Sequence, residues 1–133
     1  MSASQLNLSV RLTLDYRHPL GGLAPFFEAL KKGEALAACC GAEVYFPPRL
    51  PADGQPPSWV KLSGQGTVVA LTRGNAEAAG APPICALVAM DGATNMAVGR
   101  VNAPGAPLRP GSRVKIVPLA DPAFPAAIVF SCL

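Results

Sequence analysis

Apolar and polar residues alternate strictly at the start of the chain. Leu6, Leu8, Val10, Leu12 and Leu14 are separated by Asn7, Ser9, Arg11 and Thr13. Period two puts one kind of side chain on each face of an extended backbone, so residues 6–14 predict a half-buried strand that needs a sheet to join. Pairing with a barrel further along the same chain is the expected arrangement, and addition to the sheet edge of a partner is the other. Pro19 and Gly21-Gly22 then break the pattern. A helix is predicted from about Pro25, since proline suits the first helical turn. Phe26, Phe27 and Leu30 make its apolar face, Lys31, Lys32 and Glu34 its polar side, and Gly33 its end.

Between Ala35 and Trp59 the periodicity is lost. Pro47-Pro48, Pro51 and Pro56-Pro57 exclude a central strand or helix around them, and Asp53-Gly54 marks a turn. From Trp59 onward short apolar runs return, at 58–62, 66–72, 84–90, 93–101, 112–118 and 126–131. Asp91-Gly92 between two such runs is a strong hairpin signal, and Arg109-Pro110-Gly111-Ser112 is a second turn. Residues 73–83 read as a long connection. Several short strands with one sharp hairpin predict a small closed sheet, and about five strands suit an OB barrel.

Composition adds a constraint. The chain has 133 residues, half of them hydrophobic, so a barrel-sized core can be filled. Only 14% are charged, against about 25% in an ordinary soluble protein. A surface so poor in charge points to burial against a partner. The net charge of +3 is too small for a protein held on a phosphate backbone. The start of the chain does not read as a signal peptide, and no stretch is long and apolar enough to span a membrane. Cytoplasm is the expected compartment.

Four cysteines invite a test for metal and for catalysis. Adjacent Cys39 and Cys40 are strained as a mutual disulfide, and the spacing of the four is not that of a secreted framework. A structural zinc site needs two close ligand pairs. The first pair here has collapsed to Cys39-Cys40-Gly41, and RLPADGQPPS, where a second would fall, holds no Cys or His. Neither a metal site nor a metal cofactor is expected. Cys85 sits in an apolar run and reads as an inert core thiol, and Cys132 as a strand end. With His18 the single histidine, no base stands ready for a nucleophile, and no catalytic residue is assigned. After Trp59 the aromatics are Phe124 and Phe130 alone, too few for stacking bases. Lys61, Arg73, Arg113 and Lys115 are candidates for the phosphates of coenzyme A, Arg113 and Lys115 sharing a strand face by period two.

Several motifs fall in a fixed order: the helix FFEALKKGE, the Cys40-Gly41 turn, Phe46-Pro47-Pro48-Arg49, the strand start Ser63-Gly64-Gln65-Gly66-Thr67, the Asp91-Gly92 hairpin and Gly111 before VKIV. In this order the chain resembles the zinc-ribbon plus OB-fold acyl-CoA-associated proteins, small partner subunits of thiolase-like enzymes, with a degenerate ribbon. The resemblance covers residues 23–131. It implies a mainly β protein in three parts: an N-terminal β arm and loop (1–22), a helix with a degenerate rubredoxin-like zinc ribbon (23–59), and a small OB-fold barrel (60–133). It further implies a non-catalytic accessory subunit docked on a thiolase-like or ketoacyl-synthase-like enzyme that acts on acyl-CoA thioesters by Claisen or retro-Claisen carbon–carbon chemistry. CoA thioester would be met through that partner, and the ribbon would hold no zinc. Phe26, Phe27, Tyr45, Phe46, Arg49 and Trp59 are the expected interface residues. A free-standing binder of acyl-CoA or another small ligand is the alternative, and a single-strand nucleic-acid binder the third.

Overall fold

A computed structural model describes residues 6–13, 21–74, 84–102, 107–118 and 128–133. After a 3₁₀ turn (Gly21–Leu23), helix α1 runs Ala24–Lys31 with a proline in its first turn. It stops where expected. Gly33 takes a φ of 74°, its N–H donates to the carbonyl of Leu30 (3.0 Å), and the Glu34 N–H reaches back to that of Ala29 (2.9 Å). This double closure uses a left-handed residue that only glycine adopts without strain.

The ribbon region is a three-stranded antiparallel sheet of β1 (Ala35–Cys40), β2 (Glu43–Tyr45) and β3 (Ser58–Leu62), in the order β2-β1-β3. β1 was not legible as a strand, since its Ala-Leu-Ala-Ala-Cys-Cys sequence lacks the branched and aromatic residues that favour one. Its small side chains serve packing: Ala37 and Ala38 are fully buried. The prolines lie in the loop from β2 to β3, outside any strand.

β4 (Gln65–Arg73), β5 (Ile84–Met90), β6 (Ala97–Asn102), β7 (Arg113–Ile116) and β8 (Val129–Cys132) close into a barrel, in the order β4-β5-β6-β8-β7. All neighbours are antiparallel except β6 and β8. This is the partly Greek-key, five-stranded path of an OB fold. Inward positions of period two fill it: Ala86, Val88 and Met90 from β5, Ala97 and Val101 from β6, Val114 and Ile116 from β7, and Phe130 from β8. A bulge between Val68 and Ala70 bends β4 so that it pairs with β5 and β7 together. The predicted strand at 93–101 begins later, at Ala97, because residues 93–96 turn toward the ribbon.

Two expectations are corrected. Residues 6–13 form no strand and are exposed throughout; Leu6 is 100% and Leu8 90% accessible. The barrel cannot receive them, because every strand in it already has two neighbours and no edge is left. Leu14 and most of the 73–83 connection lie outside the described residues. Cys85 is a strand residue, but on the half-exposed outer face of β5 rather than in the core.

Candidate functional site

One part of the barrel's outer surface, over β4, β5 and β6, is apolar. On β6 inward Ala97, Gly99 and Val101 alternate with outward Val98, Arg100 and Asn102. Cross-strand register sets Val98 beside Leu87 and Leu87 beside Ala70, so three apolar side chains line up over β4, β5 and β6. Val98 is 61% exposed and Met96 48%. On its other side Val98 borders a groove of about 370 Å³, shared with Leu23, Phe27, Pro47, Pro48 and Ile128. One apolar surface therefore runs from the outside of the barrel to α1 and the Phe-Pro-Pro turn. Contiguous exposed apolar area of this kind marks an interaction site.

The groove's far wall is held by a clamp. Asn95 Oδ1 accepts from the Phe46 N–H (2.7 Å) while its Nδ2 donates to the Pro47 carbonyl (3.1 Å). Thr94 Oγ1 accepts from the Val44 N–H (2.9 Å), and the Thr94 N–H donates to the Val44 carbonyl (2.6 Å). The β5–β6 hairpin thus ties the ribbon to the barrel. Phe46 drives the same join from inside: it is fully buried and packs edge-on against Phe26, ring centroids 5.6 Å apart.

Of the expected interface residues, Phe46 is fully buried and Phe26 nearly so, although Phe26 is among the residues that line this groove. On a helix only one of two adjacent phenylalanines can point fully inward; Phe27 is the one left half-exposed, in the groove. Tyr45 is half-buried under the exposed Arg49, whose guanidinium lies 5.2 Å from its ring centroid. Trp59 lines a separate groove with Leu50 and Pro51. Met96, Val98 and the Thr94-Asn95 clamp escaped sequence reasoning. The polar Thr-Asn pair inside an otherwise apolar run was the available signal.

Of the four basic candidates, Arg113 and Lys115 share the outer face of β7 as expected, and Lys61 and Arg73 lie on other strands. Lys61, on the ribbon sheet, pairs with Glu34 at 3.4 Å. Arg113 makes a two-pronged contact with Asp91 (2.6 and 2.9 Å) and also donates to Thr67 and Gln65. These hydrogen bonds hold the Asp91 carboxyl below its ordinary value and raise the Arg113 guanidinium. Lys115 is exposed beside Gln65. Arg73 lies six residues along β4 from Thr67, the register partner of Arg113, or up to about 20 Å at ~3.3 Å per residue.

The ribbon does not fit zinc. Neighbouring residues on a strand face opposite ways, and the two thiols diverge, Cys39 Sγ toward the Gly41 carbonyl and Cys40 Sγ toward that of Arg49. Among the described residues no three Cys, His, Asp or Glu side chains gather. No described barrel aromatic is exposed for base stacking; Phe130 is fully buried. Among the described residues no helix is long and apolar enough to cross a membrane.

Residues 59–118, from within β3 to just past β7, match the family model for the C-terminal OB-fold domain of ChsH2. The chain resembles the ChsH2 OB-fold proteins. A chain of the solved structure described as "Ltp2-ChsH2(DUF35) aldolase" is 26% identical, with a TM-score of 0.61 over 83% of this chain and 93% of that one. A DUF35-family protein of unknown function from Sulfolobus solfataricus shares the fold at 16% identity, with a TM-score of 0.59 over 85% and 86%. No curated protein matches. The region that matches the family model includes Leu87, Met96 and Val98.

Proposed function

We propose that this protein is a non-catalytic accessory subunit that docks on a thiolase-like enzyme and supports its carbon–carbon chemistry on acyl-CoA thioesters. The single observation that carries the reading is the uncovered apolar face from Leu87 and Val98 to Phe27 and Pro48. It is joined by the likeness to a chain from an aldolase assembly. An enzyme's site would gather titratable groups in a cleft; the groove here is lined by Leu, Phe, Pro, Met, Val and Ile, with no titratable side chain. Such a wall binds by excluding water. The prolines present it without loss of backbone freedom, since their φ is fixed.

In this reading the Thr94-Asn95 clamp keeps the Phe-Pro-Pro turn and the outer barrel in one rigid surface. The partner would supply the nucleophile, the bases and the CoA contacts. The test is a tagged pull-down from the native host, with the eluate identified by mass spectrometry and sized by light scattering. A stoichiometric thiolase-like protein is the expected companion. A chain that elutes alone and titrates with CoA would replace this reading with a free-standing ligand binder.

A further inference from the structure

The ribbon sheet has two outer edges, and they are treated differently. That of β2 is covered, since both backbone groups of Val44 are taken by Thr94. That of β3 is open: the sheet ends there, and among the described residues no further backbone bond reaches Ser58–Leu62. Trp59 of β3 lines a groove of about 550 Å³ together with Leu50, Pro51, Gly21 and Pro25. An open edge next to an apolar groove is an acceptor for a strand.

The chain also carries a donor. In residues 6–13 Leu6, Leu8, Val10 and Leu12 form one apolar ridge and are 100%, 90%, 68% and 76% exposed. Burying them also buries their backbone, whose N–H and C=O groups must then be paired. An apolar groove alone offers no such pairs; a strand edge offers a row of them. Eight extended residues span about 26 Å, enough to cover a five-residue strand and its flank. Gly21, where the described body of the chain begins, is itself one of the residues lining the Trp59 groove.

We propose that residues 6–13 form a strand exchanged between two copies of this chain. Each arm adds to the open edge of β3 in the other copy, with its Leu and Val ridge over the Leu50–Trp59 groove. The single chain leaves its own arm in solvent, and a second copy presents the same edge and groove. The exchange is mutual and closes on itself, so it stops at two. Each side contributes eight arm residues, the five of β3 and the groove walls, about 20 residues, which meets the low end of the ~20–30 that a stable interface needs per partner. The inference stands on the arm and β3 alone and does not depend on the docking of a thiolase-like enzyme.

Sedimentation velocity over a wide concentration range tests it, with the full chain, a chain lacking residues 1–13, and a full-length Leu8→Asp, Val10→Asp variant. Expected are a dimer for the full chain and monomers for both variants, with cooperative thermal unfolding of the body retained in both. Amide exchange in residues 58–62 should accelerate at least about tenfold in both variants, since only local protection is lost. A full chain that is monomeric at every concentration overturns the proposal, even if its arm protects β3 in the same molecule; the docking reading would survive that result. A dimer that persists in both variants overturns it equally.

Discussion

At Gly99 the parallel strands β6 and β8 close the barrel with no room for a side chain. A Cβ there would meet the Ile128 carbonyl and come within 2.6 Å of the Phe130 ring, and Phe130 is itself fully buried. Gly99→Ala therefore overpacks a site that cannot relax, and should cost about 1–3 kcal/mol in chemical denaturation. Asn95 is different in kind: it satisfies backbone groups. Asn95→Ala leaves the half-buried Phe46 N–H and Pro47 carbonyl unpaired, an expected loss of about 1–3 kcal/mol. Asp91 gives a pH signature. Its folded-state pKa is lowered, first by the hydrogen bonds from Arg113, so its contribution is present above the ordinary carboxyl value of 3.8 and lost as pH falls through the lowered one. The stability gap between the parent and Asp91→Asn should be constant at neutral pH and close below about pH 4; a gap that persists in acid would place the effect elsewhere.

Among the elements, the three ribbon strands are held by packing and by a hydrogen-bonded clamp. Ala35 and Ala37 pack in one cluster with Phe26 and Leu30 of α1, Phe46 and Phe26 pack between ribbon and helix, and Thr94 and Asn95 fasten the end of β2. A ribbon held by zinc melts when the metal is chelated. Here thermal melts with EDTA and with added zinc should coincide. A fall in melting temperature with EDTA would show a ligand set outside the described residues. The barrel strands were legible because period two and the Asp91-Gly92 hairpin survive in the sequence. β1 was not, because Ala and Cys declare no preference and its strand state comes from packing.

For the whole molecule, the question is which apolar residues are core and which are surface. Val98 and Val101 look alike in sequence, yet one is 61% exposed and the other 6%. Val98→Asp should leave folding stability within about 0.5 kcal/mol, as exposed substitutions do. Under the docking reading it should cut recovery of the partner by at least about tenfold, the cost of ~1.4 kcal/mol at an interface. Unchanged recovery would move the docking site away from the outer barrel face.

The sequence by itself determined the local geometry: the helix after Pro25 and its glycine stop, the hairpin, the alternation of the barrel strands and the low surface charge. These follow from backbone restriction and side-chain period, which act over a few residues. Only the tertiary structure decided which face of each strand turned inward, which phenylalanine of Phe26-Phe27 was buried, and that the barrel closed and left the N-terminal arm no barrel edge to join. Those outcomes depend on what the chain brings alongside from dozens of residues away. Thr94 and Asn95 reach Val44 and Phe46 across about fifty positions, a distance at which local pattern carries no information.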